Sequence, residues 1–318
     1  MTAVRAATSH RPDWLLDDLA RIEELLLETA SASRHSLVSE SSTHLLKAGG
    51  KRIRPSIVLI AARAGTPTAS SDLAAAAVEL VHLATLYHDD VIDETETRRG
   101  APTAHSKWGT DVAVLAGDYL FARACELGAE AGGEVPKILS RALAGVCEGQ
   151  IAEMETVGRP RKLDEYTDTL KLKTASLFNA ACELGSATSD VNPATRAALA
   201  SYGENLGIAF QIVDDLLDLV GDPEVTGKRL GTDLREGIYT LPVILGLERS
   251  SDLAPLLETD PAFEDVLAIL QSSGALEDSR QRARGYLDTA RGALAGLPDE
   301  PWRAALESIA DDAGAGVI

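Results

Sequence analysis

The stretch LATLYHDDVID, residues 83–93, leads from an apolar helical pattern into a group of aspartates, and IAFQIVDDLLD, residues 208–218, repeats that arrangement. Alanine and leucine dominate the chain, and valine, isoleucine and threonine never form alternating runs. Hydrophobic residues make up 45% of the 318 residues and aromatic residues only 4%. This composition favours helices over sheet, so we predict an all-α protein whose core consists mainly of small and branched aliphatic side chains.

Short turns separate the helical segments, and the chain has no long linker, fixed-period repeat or low-complexity segment. We therefore predict a flexible N-terminus over residues 1–12 and a single domain of many packed helices over residues 13–318. One predicted helix begins at Asp13, another at Pro55, and a third after a cap at Ser71-Asp72. Further helices are predicted over residues 36–47, 111–129, 136–156, 163–184 and 193–219, with several more over 240–310.

The formal net charge of −19 makes binding to nucleic acid or to anionic lipid unfavourable. A phosphate-bearing substrate would need a local basic cluster or a bound metal ion. The three cysteines, Cys125, Cys147 and Cys182, lack zinc-type spacing, and we predict buried, reduced thiols that suit a cytoplasmic protein. The first dozen residues lack an apolar signal core, and we predict no transmembrane segment.

The aspartates of each DDxxD cluster are spaced for one side of a helix. Asp89 and Asp93 lie one turn apart, with Asp90 about 100° around the helix axis. Hard carboxylate oxygens suit Mg²⁺, and two facing clusters could hold a diphosphate between them through shared ions. A solvated acidic helix end is the alternative for one cluster, but the second copy argues against it. The six predicted metal ligands are Asp89, Asp90, Asp93, Asp214, Asp215 and Asp218.

Basic residues gather close to both aspartate clusters. GGKRIRP, residues 49–55, places three cations beside two glycines, and Arg98-Arg99-Gly100 follows the first aspartates. Neither GGKRIRP nor residues 227–229 form a nucleotide-binding loop, because no Ser or Thr follows the lysine. Each cluster alone would be interpreted as a solvated turn. Their positions beside the aspartates favour anion binding, with glycines that let the backbone approach the ligand.

Taken in order, the motifs identify a family. GGKRIRP, HDDVIDETETRRGAPTAHSKWG, AVLAGDYL, KTASL, FQIVDDLLD and GKRLGTDLREG with TLP resemble the trans-isoprenyl diphosphate synthases over residues 40–245. The resemblance implies an all-α isoprenoid-synthase fold with a deep central cavity, and usually a homodimer. It also implies head-to-tail condensation of an allylic diphosphate with isopentenyl diphosphate, dependent on Mg²⁺, with three ions per active site.

The resemblance also assigns roles to individual residues. The six aspartates match metal ligands, and among them Asp89, Asp90, Asp93, Asp214 and Asp215 are expected to act in catalysis together with Arg98, Lys173 and Lys228. The positions that match contacts to the allylic diphosphate or to its metal ions are Arg98, Lys173, Thr174, Gln211 and Lys228. Those that match the isopentenyl diphosphate pocket are Gly50, Lys51, Arg54, His82 and Arg99. Without the resemblance, His82 would be interpreted as a core histidine.

Two features depart from the family pattern. Ile238 stands where many members have a lysine, which weakens a role for that segment in diphosphate binding. The C-terminus after Arg303 has no basic residue, whereas some relatives close the isopentenyl site with a basic tail.

Small residues precede the first aspartates on the helix that the growing hydrocarbon should follow. Thr85 and Ala84 lie four and five residues before Asp89, roughly 6–7.5 Å deeper at the helical rise, and Val81 continues that face. Short-chain relatives place an aromatic floor at one of these positions. We therefore predict a long product, C35–C50. The alternatives are a geranylgeranyl-type synthase, a non-catalytic subunit of a heteromeric synthase, and a terpene cyclase, which would need no isopentenyl pocket.

Overall fold

The computed structural model describes residues 11–222, 230–259 and 261–315, and in these ranges the chain is all-α apart from one two-stranded ribbon. This confirms the predicted fold class. The N-terminal helices are α1 Asp13–Ser31, α2 Ser36–Ser42, α3 His44–Lys47, α4 Ile53–Ala62 and α5 Ala69–Ile92. The ribbon of β1 Thr97–Arg98 and β2 Ala101–Pro102 precedes α6 Ala104–Trp108, α7 Thr110–Ala131 and α8 Val135–Met154.

The remaining helices carry the second aspartate cluster and the C-terminus. They are α9 Leu163–Leu170, a π-helical turn Lys171–Ala175, α10 Ser176–Ala187, α11 Pro193–Val220, α12 Thr232–Arg235, α13 Leu241–Arg249, α14 Leu253–Leu257, α15 Phe263–Ser272, α16 Ala275–Leu294 and α17 Pro301–Gly314.

The chain divides into two compact units that are both discontinuous in sequence. Unit 1 comprises Met1–Leu143, Ala180–Ala200 and Leu297–Ser308, and unit 2 comprises Ala144–Asn179, Ser201–Gly296 and Ile309–Ile318. The first aspartate cluster belongs to unit 1 and the second to unit 2.

Helix α5 forms the centre of unit 1. Its residues Ala74 to Val78 are fully buried, and their small side chains allow close packing against neighbouring helices. The predicted cap was Ser71-Asp72, but the helix begins earlier, at Ala69. Ser71 lies in the first turn, where its Oγ accepts a hydrogen bond of 3.1 Å from the Thr68 amide. By length and composition α5 could cross a membrane, but 67% of its apolar window is buried inside the protein.

Two predicted helices are interrupted where side chains or backbone compete with regular hydrogen bonding. The segment 36–47 breaks at Thr43, whose Oγ1 donates to the Ser39 carbonyl at 2.7 Å while Ser42 Oγ donates to Val38 at 2.6 Å. The segment 163–184 is interrupted by the π-helical turn, which adds a residue to one turn of helix.

In unit 2, α11 contributes Ile212, Leu216 and Leu219 to a buried apolar cluster to which α13 contributes Leu241 and Ile244. The prediction of three buried thiols is wrong for two of them. Cys182 is buried, but Cys125 and Cys147 are exposed because they fall on the outer faces of α7 and α8.

Candidate active site

The first aspartate cluster lies at the end of α5. Asp90 is only 1% exposed, and its Oδ1 accepts a hydrogen bond of 2.5 Å from Arg98 Nε. Among the described residues, no group donates to its other oxygen, Oδ2. Asp93 follows the last helical residue and is exposed. Burial raises the pKa of Asp90, and the charge of Arg98 opposes that rise.

The ribbon that follows directs two adjacent arginines to different partners. Arg99 and Gly100 both have positive φ, 53° and 74°, as a two-residue hairpin loop requires. Arg98 contacts Asp90, whereas Arg99 Nη1 donates to the Gly49 carbonyl and, at 3.3 Å, to the Leu45 carbonyl. The ribbon therefore links the first aspartate cluster to the glycine-rich loop at Gly49-Gly50.

The glycine-rich loop and the residues around it form a region of concentrated positive charge. Burial, together with the charge of Arg99, lowers the pKa of Arg54 to about 10 against the opposing effect of Glu79. Burial and then the charges of Arg54 and Arg99 hold the pKa of His82 well below its usual value, so the imidazole is neutral at physiological pH. Lys51 is exposed beside them. The structure thus brings the five residues predicted for the isopentenyl pocket into unit 1, at or beside this region.

Position 50 accommodates only glycine. Its φ is 155°, and a Cβ there would lie 2.6 Å from Arg52 Nη1 and 2.9 Å from Arg99 Nη1. Two guanidinium groups therefore approach the backbone of this loop from the side that a side chain would occupy.

In unit 2, Asp215 is the buried member of the second aspartate cluster. Its Oδ2 accepts a hydrogen bond of 2.6 Å from Tyr166 Oη, and its Oδ1 accepts one of 2.9 Å from Gln211 Nε2. Gln211 Oε1 in turn accepts from Thr174 Oγ1 at 2.8 Å. Burial raises the pKa of Asp215 to about 7, and the hydrogen bonds from Gln211 and Tyr166 oppose the rise. Two of the predicted substrate contacts therefore belong to a network that orients one carboxylate.

The π-helical turn positions Lys173 and Thr174. Lys173 Nζ is paired with Glu153, and the turn lies so close to α8 that a Cβ at Gly149 would be 2.4 Å from the Lys173 amide nitrogen. A π-helical turn within a longer helical run often marks a functional site.

The three aspartates of the second cluster have different environments, although their spacing copies the first cluster. Asp214 is exposed. Asp218 accepts hydrogen bonds from the amides of Thr232 at 3.1 Å and Asp233 at 3.3 Å, so it anchors the start of α12. Lys228, which was predicted to contact diphosphate, lies outside the described residues.

The predicted chain-length residues lie on α5. Val81 and Ala84 are 1% and 3% exposed, and Thr85 is half-buried. Thr85 Oγ1 donates to the His82 carbonyl at 2.8 Å, so its hydroxyl is bonded within the helix.

The donor sets fit a divalent ion that keeps most of its water. Within the described ranges, no three His, Cys, Asp or Glu side chains converge as a complete ligand set. Mg²⁺ needs only one or two carboxylates in addition to water and substrate oxygens. The buried Oδ2 of Asp90, which lacks a donor, fits this requirement.

Sequence reasoning did not assign roles to several residues of these networks. Five residues contact the predicted site residues or support those contacts, and no sequence motif marks them. They are Tyr166, Arg161, Glu153, Arg52 and Glu79. A glutamate within the alanine-rich run of α5 was the one available signal, because a buried acid needs a cationic partner.

Comparison with known proteins agrees with this geometry. The polyprenyl synthetase family model matches residues 35–270. The chain is 38% identical over 304 residues to a nonaprenyl diphosphate synthase of Mycobacterium tuberculosis (strain ATCC 25618 / H37Rv), which covers 92% of this chain and 90% of that one. It is 40% identical to heptaprenyl diphosphate synthase component 2 of Geobacillus stearothermophilus, over 93% of this chain and 95% of that one.

A solved structure extends the similarity to three dimensions. The polyprenyl synthase from Caulobacter crescentus CB15, complexed with calcium and isoprenyl diphosphate, superposes with a TM-score of 0.91 at 37% identity, over 96% of each chain. The resemblance to trans-isoprenyl diphosphate synthases of the long-chain type is thereby confirmed. This chain belongs to the polyprenyl synthetase family of prenyltransferases.

Proposed function

We propose that this chain condenses an allylic diphosphate with isopentenyl diphosphate in a Mg²⁺-dependent reaction, using three ions per active site, and releases a C35–C50 polyprenyl diphosphate. The observation that carries the proposal is the pair of adjacent arginines on the ribbon. Arg98 contacts Asp90, a buried carboxylate of the kind that binds metal ions, and Arg99 contacts the glycine-rich loop, which has its own cations. A condensing enzyme needs both sites because it binds two diphosphates.

We propose that all six aspartates of the two DDxxD clusters bind the ions, with Asp218 also anchoring α12. When bound, the divalent ions stabilise the negative charge that develops on the departing diphosphate. Arg98 and Lys173, each held by a carboxylate, add positive charge to that diphosphate, and Lys228 is assigned to it from the sequence motif alone; Thr174 and Gln211 orient the buried carboxylate of Asp215.

Lys51, Arg54 and Arg99 hold the diphosphate of isopentenyl diphosphate, and Gly50, which has no side chain, leaves room for the Arg99 guanidinium beside the backbone. His82, neutral beside the arginines, donates or accepts a hydrogen bond there and adds no charge. The proton lost after condensation passes to the released diphosphate. This chemistry requires no nucleophilic side chain.

Product length separates this proposal from a geranylgeranyl-type synthase, and relatives named for that shorter product also match the chain. The purified protein, incubated alone with Mg²⁺, labelled isopentenyl diphosphate and geranyl, farnesyl or geranylgeranyl diphosphate, should yield C35–C50 products. Diphosphate release without isopentenyl diphosphate would instead indicate a cyclase. Activity only after a second chain is added would indicate a subunit of a heteromeric synthase.

We predict that Tyr166→Phe weakens metal binding. The substitution keeps the ring, which lies 4.9 Å from the Arg161 guanidinium, and removes only the hydroxyl that donates to Asp215. Loss of such a supporting hydrogen bond typically lowers metal affinity 10–100-fold. The Mg²⁺ concentration for half-maximal activity, and the Mn²⁺ affinity measured by calorimetry, should shift accordingly. Tyr286→Phe, which removes a hydroxyl elsewhere in unit 2, should leave both unchanged; equal shifts in the two variants would contradict the assignment.

We also propose a cytoplasmic homodimer. Val114 and Leu115 on α7 are large apolar residues with 36% and 63% exposure, and exposed apolar side chains on one helix favour a protein contact. Leu115→Glu should shift the mass measured by light scattering from dimer to monomer. Glu126→Gln, an exposed change on the same helix, is the control and should leave the dimer intact.

A further inference from the structure

Arg52 lies between the two predicted ligands Lys51 and Arg54 but has a different environment. Its side chain is 2% exposed, and its backbone adopts the left-handed conformation with φ 49°. Such a conformation is uncommon for a residue other than glycine, and it persists only where surrounding contacts fix it.

Two carboxylates hold the Arg52 guanidinium. Its Nε and Nη2 donate to the two oxygens of Glu23 at 2.8 and 2.9 Å, and its Nη1 donates to Glu79 at 3.3 Å. Glu79 is itself 2% exposed and comes from the middle of α5. The positive charge of Arg52 is therefore compensated inside the protein, and an anionic ligand would compete poorly for it.

The same guanidinium also holds the backbone of the glycine-rich loop. Nη1 donates to the Gly49 carbonyl at 3.3 Å and Nη2 to the Leu46 carbonyl at 3.2 Å. Arg99 donates to the same segment, residues 45–49, at Gly49 and at Leu45. The Gly49 carbonyl therefore accepts hydrogen bonds from both arginines, which links the position of Arg99 to that of Arg52.

We propose that Arg52 is a positioning residue whose buried contacts with Glu23 and Glu79 fix the Gly49-Gly50 loop and thereby orient Arg99 for the diphosphate of isopentenyl diphosphate. This inference rests on the proposed function, because it assigns the cationic region to that substrate. Arg52 does not touch the substrate and acts only through the loop.

Arg52→Lys tests the proposal, since lysine keeps the charge but cannot bind Glu23, Glu79 and two carbonyls together. We expect the KM for isopentenyl diphosphate to rise at least about tenfold, while kcat and the KM for the allylic substrate stay within about twofold. A calorimetric titration with isopentenyl diphosphate alone, which cannot react without a primer, should show the same loss of affinity. Glu79→Gln should act in the same direction.

Arg63→Lys is the matched control. Arg63 follows α4 and pairs with Asp18 at 2.8 Å, as Arg52 pairs with Glu23 of the same helix, but in the described part of the chain it forms no hydrogen bond or ion pair with the glycine-rich loop. Its KM values should not change. If Arg52→Lys does not fold, Glu23→Gln, which removes only the 29% exposed partner, should still raise the same KM.

The outcomes separate this inference from the proposed function. An active wild-type protein whose Arg52→Lys and Glu23→Gln variants keep the wild-type KM for isopentenyl diphosphate would overturn the inference alone. A parallel loss of kcat and of both affinities would also overturn it, because it would indicate general damage. A wild-type protein that neither binds isopentenyl diphosphate nor elongates a primer would overturn the proposed function.

Discussion

Asp90→Asn should lower kcat by about 10²–10³-fold, because several kcal/mol of charge stabilisation are lost when a metal-binding carboxylate becomes an amide. The substitution preserves the shape of a side chain that is 1% exposed, and Arg98, whose side chain is 22% exposed, can turn towards solvent once its partner is neutral. We therefore expect a folded protein with a thermal midpoint close to that of the wild type. Turnover should be measured over a range of Mg²⁺ concentrations, together with direct binding of Mn²⁺.

The control for this experiment lies at the other end of the same helix. Asp72, in the first turn of α5, forms an exposed ion pair with Arg21 at 3.3 Å, and surface pairs of this kind contribute little to stability. Asp72→Asn should leave kcat and the metal dependence unchanged. An Asp90→Asn variant with wild-type turnover would show that the orphaned Oδ2 does not serve a metal ion.

The sequence predicted the helices well wherever apolar spacing was long and uninterrupted. The segment predicted as 193–219 is observed as α11 Pro193–Val220, and the segment predicted as 111–129 as α7 Thr110–Ala131. Predictions failed where local hydrogen bonds decide the outcome. Thr43 and Ser42 divide one helix by bonding to backbone carbonyls, and helical periodicity does not reveal such bonds.

The site shows a similar division between what spacing indicates and what packing determines. The DDxxD spacing predicted metal-binding roles for both Asp90 and Asp93, but it does not indicate that Asp90 is buried against Arg98 and Asp93 exposed beyond the helix end. The GGKRIRP motif places three cations in four residues, and it does not indicate that Arg52 is neutralised by Glu23 and Glu79, which lie 29 and 27 residues away in sequence. Contacts between distant segments depend on the fold, and apart from Glu79 within the alanine-rich run of α5 the sequence contains no signal for these.

Ala84→Phe should shorten the product by several isoprene units, so that the wild-type length becomes a minor component. Ala84 and Val81 share a face of α5 below the aspartates, and a phenyl group there would occupy space that the growing chain needs. Ala84 is 3% exposed, so the larger side chain must either fill the chain-binding space or overpack the core, which typically costs about 1–3 kcal/mol. Thr85→Phe at the half-buried neighbouring position distinguishes these outcomes, since it adds a similar ring with less strain.

Product lengths of both variants should be compared by reversed-phase chromatography after extension of farnesyl diphosphate, with thermal midpoints measured on the same samples. Leu86→Phe provides the control, because Leu86 lies about 200° around the helix from Ala84 and is also half-buried. We expect it to retain the wild-type product. If Ala84→Phe and Thr85→Phe both fold and both give that product as well, this face of α5 does not limit chain length. The long-chain assignment would then have to rest on residues of another helix, whereas the assignments of the aspartates and arginines would be unaffected.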